Sequence, residues 1–167
     1  MPNKNIRPLL GRSLITYTVG QAREANLFET IAVSSDSQAI LDAAKAAGAD
    51  LLVERPPELA TDSAAKVPAI VHCLKESERR LGISYDIEVD LDVTSPLRLP
   101  EDIVGAVRLL ESSSVTNVIT GAPARRSPYF YLVERTANGY VSLSQAIDPP
   151  IQRRQDAPAC CDMSASI

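Results

Sequence analysis

The hydrophobic positions alternate between two periods along this chain. Thr30-Ile31-Ala32-Val33-Ser34 is a short β-branched run and predicts a strand. Ser37 to Ala47 then carries helical spacing, with Ser37 or Asp36 as N-cap and Gly48 as a left-handed stop. Ala49 to Val53 predicts a second strand, and Ser63 to Leu81 a long helix ended by Gly82, with Pro68 in its first turns. Tyr85 to Asp92 alternates strictly: Ile87, Val89 and Leu91 against Asp86, Glu88, Asp90 and Asp92, the mark of a third strand. Pro100 to Ser112 predicts a helix, with proline at its first position and Glu101 and Asp102 favoured there by the helix dipole. Asn117 to Thr120 predicts a fourth strand. Before all of these, Ser13 to Leu27 predicts a helix with Gly20 as its weak point.

Strand and helix in strict alternation argue for an α/β fold: a Rossmann-like, mostly parallel sheet with helices on both faces. The pattern changes after Pro123. Tyr129–Arg135 and Tyr140–Leu143, joined through Ala137-Asn138-Gly139, predict a β-hairpin. The polar, proline-rich stretch from Asp148 to Pro158 predicts an extended arm. Residues 1–122 are thus expected to form the α/β core, 123–158 a hairpin and arm, and 159–167 the start of a return to the core.

With 167 residues, 45% hydrophobic and 23% charged, the chain has material for one sizeable core and is not of disordered composition. No apolar run approaches the roughly 18 residues of a membrane span, and no signal segment opens the chain. A net charge of −4 argues against a nucleic-acid surface but leaves room for a local basic pocket. Cys73, Cys160 and Cys161 have neither disulfide nor zinc spacing, so they are expected as free thiols of a reducing cytoplasm. His72, the single histidine, lies inside a predicted helix, where packing explains it better than catalysis.

In a parallel sheet, ligands bind beyond the carboxyl ends of the strands. That rule selects Ser34-Ser35-Asp36, Glu54-Arg55-Pro56, Asp90 to Ser95 and Gly121-Ala122-Pro123. Arg55 suits a forked phosphate contact, with a surface pair to Glu58 as the plain alternative. Asp90 and Asp92 share one face at a strand end, as two carboxylates holding Mg²⁺ against phosphates would, although Asp86 and Glu88 continue the same acidic row. Lys4 could neutralise phosphate or simply be solvated. Arg153-Arg154 could be an anion clamp or a solubilising loop.

Six blocks in order carry a family resemblance: Pro2-Asn3-Lys4-Asn5-Ile6, Gly11-Arg12-Ser13-Leu14-Ile15, Val33-Ser34-Ser35-Asp36, Arg55-Pro56-Pro57-Glu58-Leu59-Ala60-Thr61-Asp62, Leu91-Asp92-Val93-Thr94-Ser95-Pro96-Leu97-Arg98 and Arg153-Arg154-Gln155-Asp156-Ala157-Pro158. Together they resemble the acylneuraminate cytidylyltransferases, which include the legionaminate and pseudaminate synthetases. The resemblance implies a cytoplasmic homodimer that joins CTP to a nine-carbon α-keto acid sugar, with Mg²⁺, releasing pyrophosphate. It implies Lys4 at the phosphates and Asn5 near the nucleoside, with Ser35, Asp36 and Arg55 also on the nucleotide. Asp92 stands where many members carry Gln, as a metal ligand or a sugar contact. Thr94 and Ser95 would line the sugar pocket. The 123–158 element would dimerise and bring Arg154 to the partner's site.

The family also places a strand and a glycine-rich basic loop, ARxGSKG, ahead of the first block, and a further strand with a late carboxylate motif beyond the last. The chain as written is therefore expected to lack a sheet strand, to leave that strand's neighbours without a hydrogen-bonding partner, and to turn over poorly. Two other readings stand beside this one: another sugar nucleotidyltransferase, such as one loading Kdo, and a non-catalytic module that binds CTP or dimerises.

Overall fold

The computed structural model describes residues 3–164; Pro2, at the head of the first block, and the end of the 159–167 segment lie outside the described residues. The architecture is mixed α/β, with four helices of nine or more residues and four two-stranded sheets among those residues. Two compact units divide the chain, one running to Ile119 and the other spanning Thr120–Ser164.

The first unit opens on a 3₁₀ turn, Lys4–Ile6, and a small hairpin of β1 (Pro8–Leu9) and β2 (Arg12–Ser13). Helix α1, Leu14–Ala25, presents Ile15, Val19 and Ala22 at helical spacing to the core, where Ile31 and Ala44 meet them. Its ladder runs through Gly20 unbroken. Strand β3 (Ala32–Ser35), α2 (Gln38–Ala46) and β4 (Leu51–Glu54) make a right-sized βαβ unit, and β3 and β4 pair in parallel, Ala32 opposite Leu51 through Ser35 opposite Glu54. A side-chain knot braces this unit. Arg23 donates to the Gly48 carbonyl and to Asp50, and the second Asp50 oxygen accepts the Ile31 N–H at 2.8 Å.

Helix α3, Lys66–Leu81, ends where Gly82 takes φ 68°, a left-handed stop that a side chain would strain. Arg80 reaches back to the Leu52 carbonyl at 2.9 Å and covers part of the β4 edge. Helix α4, Pro100–Ser112, packs on α1 and buries Ile103 completely; Asp102 accepts the Leu99 N–H at 2.9 Å and so caps its start.

Two predicted strands are not strands. Tyr85–Asp92 forms no ladder, and neither does Asn117–Thr120. The reason for the first is visible beside it. A cavity of about 940 Å³ is lined by every residue from Thr30 to Ser34 and every residue from Tyr85 to Val93. Consecutive strand residues point to opposite faces, so both segments turn their backbone edges toward the opening. Alternation sets which way the side chains of residues 85–92 face, but a strand also needs a neighbour for its N–H and C=O groups, and none lies there. Among the described residues, parallel pairing is limited to β3 and β4. Residues 117–120 lie half-buried or exposed, and the Thr120 carbonyl accepts the Ser164 N–H at 2.8 Å where the following β-pairing begins.

In the second unit, β5 (Gly121–Pro123) pairs antiparallel with β8 (Cys161–Met163). The predicted hairpin is present but shorter: β6 (Val133–Arg135) and β7 (Val141–Leu143) pair antiparallel, and Gly139 takes φ 88° in the turn. The arm is irregular apart from a 3₁₀ turn at Arg154–Asp156.

Candidate functional site

The carboxyl ends of β3 and β4 meet at one mouth of the cavity. Arg55 follows β4, and its backbone N–H extends the ladder to the Ser35 carbonyl at 2.9 Å. Its guanidinium turns onto Ser34, with Nε 3.2 Å from Oγ and Nη2 2.9 Å from the carbonyl oxygen. The alternative pair with Glu58 is not formed.

Lys4 and Asn5 come to the same cavity from the opening 3₁₀ turn. Asn5 Oδ1 is buried without a hydrogen-bond partner, an orphan acceptor on a residue that lines the cavity. Asp92 sits at the end of the extended 85–92 segment. Its Oδ1 accepts the Thr94 N–H at 2.8 Å and the Thr94 hydroxyl at 2.7 Å, a local turn that fixes the carboxylate. Partial burial pushes this carboxyl up, but the Thr94 hydroxyl and amide, then Lys66 and Lys4, more than offset it and hold it below its ordinary value. Asp90 pairs with Lys66, Nζ to Oδ2 at 2.5 Å. Glu88, beside Asp90, is pushed up to about 7, first by partial desolvation and then by the charges of Asp90 and Glu78.

Asn5, Arg55 and Asp92 therefore share one hollow, and Thr94 is bonded directly to Asp92. Ser95 follows in the same turn, its N–H 3.3 Å from the Asp92 carbonyl. Ser35 and Asp36 do not line the hollow. Ser35 is buried and its hydroxyl accepts the Ser37 N–H at 3.1 Å, a structural task at the start of α2, while Asp36 is exposed. His72 is half-buried on α3, as a packing residue would be. In the second unit, Arg154 stacks on the Tyr131 ring, 5.6 Å from its centroid, and donates to the Tyr131 hydroxyl, while Arg153 is engaged by Asp156 at 2.7 Å. All three cysteines are free thiols.

Sequence reasoning missed Lys66. A usable signal was there: a lysine in the first turn of a helix opposes the dipole, and α3 has no acid in that turn to excuse it. Its reason is across the cavity, at Asp90.

The cytidylyltransferase family matches residues 1–149, and the chain belongs to this family of nucleotidyltransferases. It is 38% identical over 165 residues to the post-translational flagellin modification protein B of Campylobacter coli, covering 99% of this chain and 69% of that protein. The CMP-N,N'-diacetyllegionaminic acid synthase of Campylobacter jejuni matches with the same identity and the same coverage, 99% and 69%. The N-acylneuraminate cytidylyltransferase of Escherichia coli is 36% identical over 110 residues, 66% of this chain and 25% of that protein. Among the described residues, no helix is long and apolar enough to cross a membrane.

Proposed function

We propose that this chain activates a nine-carbon α-keto acid sugar of the legionaminate or neuraminate kind with CTP, giving the CMP-sugar and pyrophosphate. One observation carries the reading: in a cytidylyltransferase, Lys4, Arg55 and Lys66 bring three cations, Asn5 an unpartnered acceptor and Asp92 a carboxylate to a single cavity at the strand ends. The relatives that span nearly all of the chain support the sugar class.

In this reading the sugar's anomeric hydroxyl attacks the α-phosphorus in line and pyrophosphate leaves. Such a transfer asks the protein for positioning and charge neutralisation more than covalent chemistry. Lys4 lies at the phosphates and Asn5 takes a nucleoside donor on Oδ1. Arg55 holds the nucleotide from the β4 end. Thr94 and Ser95 face the sugar. Asp92 would hold Mg²⁺: its Oδ2 accepts no hydrogen bond among the described residues, whereas Asp90 is committed to Lys66. No group of three metal-ligating side chains is present among those residues, which suits an ion carried mainly by phosphates and water with one protein carboxylate. When bound, Mg²⁺ would draw charge from the phosphate oxygens.

We further infer a nucleotide-sugar transferase fold, a reducing cytoplasmic setting in keeping with the three free thiols, and a homodimer built on the β6–β7 hairpin. The hairpin's exposed Val133, Tyr140, Val141 and Leu143 support that last point. Arg154 would then serve the partner's substrate.

Pyrophosphate release from CTP and Mg²⁺ with legionaminate, neuraminate, pseudaminate and Kdo, alongside CTP binding by calorimetry, tests the proposal. Release with a nine-carbon sugar supports it. Release with Kdo alone moves the chain to the other nucleotidyltransferase reading, and CTP binding without release to the non-catalytic one.

A further inference from the structure

Arg98 is a buried cation without an ion-pair partner. Its exposure is 6%, no carboxylate lies within ion-pair distance, and its Nε has no acceptor. A guanidinium taken out of water in this way is costly, and an apolar side chain of similar volume would fill the space more cheaply. The retained charge therefore calls for a geometric reason.

Its hydrogen bonds supply one. Nη2 donates to the Asp92 carbonyl at 2.8 Å, and Nη1 donates to Oε1 of Gln21 at 3.2 Å. Gln21, on α1, returns two bonds from Nε2, to the Pro96 carbonyl at 2.8 Å and the Arg98 carbonyl at 2.5 Å. A glutamine amide offers one acceptor and two donors, and here all are engaged on one loop. The Asp92 carbonyl also accepts the Ser95 N–H, and the Asp92 carboxylate is held by Thr94. The loop from Asp92 to Arg98 is thus closed into a ring by Arg98 and clamped to the core helix by Gln21.

We infer that Gln21 and Arg98 are positioning residues that fix the Asp92 carboxylate at the cavity, Gln21 acting through Arg98. Neither touches substrate. The inference rests on the reading above for its effect on turnover, but the clamp itself can be tested apart from it. Small displacements of an aligned group cost rate far more than affinity, so loss of the clamp lowers kcat and leaves KM for CTP nearly unchanged.

The test uses the full chain and Gln21→Met, which keeps the length and apolar bulk of the side chain and removes its polar groups; Gln21→Glu, which keeps an acceptor for Arg98 but loses the donors, is the second variant. The expected result has two parts. Amide exchange rises about tenfold across residues 93–99 and not in α1 or α4. Pyrophosphate release falls about ten- to a hundredfold in kcat, with Gln21→Glu between Gln21→Met and the parent. Unchanged exchange at 93–99 overturns the inference. If the parent chain releases no pyrophosphate, the functional reading fails, while the exchange result still decides the clamp.

Discussion

Arg55 holds Ser34 at two points, one on the hydroxyl and one on the backbone carbonyl. The two contacts join the carboxyl ends of β3 and β4 and aim the guanidinium along the cavity mouth. A lysine has the charge but not the planar fork. Arg55→Lys is expected to bind CTP about tenfold more weakly, the size of one charge-assisted bond, with the urea midpoint nearly unchanged. Equal CTP affinity, measured by calorimetry, would remove Arg55 from the nucleotide site.

Asp92 is held at the cavity by Thr94 through Oδ1, and its Oδ2 accepts no hydrogen bond among the described residues. Asp92→Asn keeps an acceptor for Thr94 and discards the charge. Turnover is expected to fall about a hundredfold or more, and the Mg²⁺ concentration for half-maximal rate to rise. A variant with normal Mg²⁺ dependence would assign the metal elsewhere.

The bond from the Ile31 N–H to Asp50 is a stability element. Asp50→Ala leaves that partly buried donor unpaired and releases Arg23, at a cost of about 1–3 kcal/mol in urea unfolding. Asp50→Asn, which can still accept, is expected to cost less. Equal costs for the two would mean the ion pair, not the amide, carries the effect.

Glu88 gives a pH signature. Its carboxyl titrates at about 7 in the folded chain against an ordinary 4.5. Between those values the unfolded chain has already released the proton that the folded chain keeps, so stability falls as pH rises through the window and levels off above it. Glu88 still meets solvent, which screens the effect, and the prediction is its sign. Relative to Glu88→Gln, the parent is expected to lose stability from pH 4.5 to 7. A constant difference across that window would contradict it.

The sequence made the helices legible because each carries its own instructions: the Ile15, Val19 and Ala22 stripe, Pro100 with Asp102, and Gly82 as a stop. Residues 85–92 show where such reading ends. Their alternation specifies two faces, but ladder formation depends on a second segment that no local pattern reveals. Arg55 was legible as a candidate from its position at the end of β4, and Asp92 from the end of a predicted strand that forms no ladder. Gln21 was not, since a lone glutamine on a helix face gives no sign of a loop some 77 residues away in the chain. Ser35 is a polar residue at a strand end whose hydroxyl accepts the Ser37 N–H at the start of α2, a bond that the strand-end rule does not foresee.

The opening between β3 and residues 85–93 has a mechanical consequence. No ladder holds that stretch: besides the Ser95 N–H on the Asp92 carbonyl and the packing of Leu91 and Val93 on the core, it is stitched by side chains, Tyr85 to Thr30, Glu78 to the Tyr85 amide, Lys66 to Asp90 and Arg98 to Asp92. Such stitches yield one at a time, unlike a ladder. The segment that carries the acidic end of the site is therefore expected to loosen contact by contact while the β3–α2–β4 unit stays shut, and a protease at low dose would meet it first.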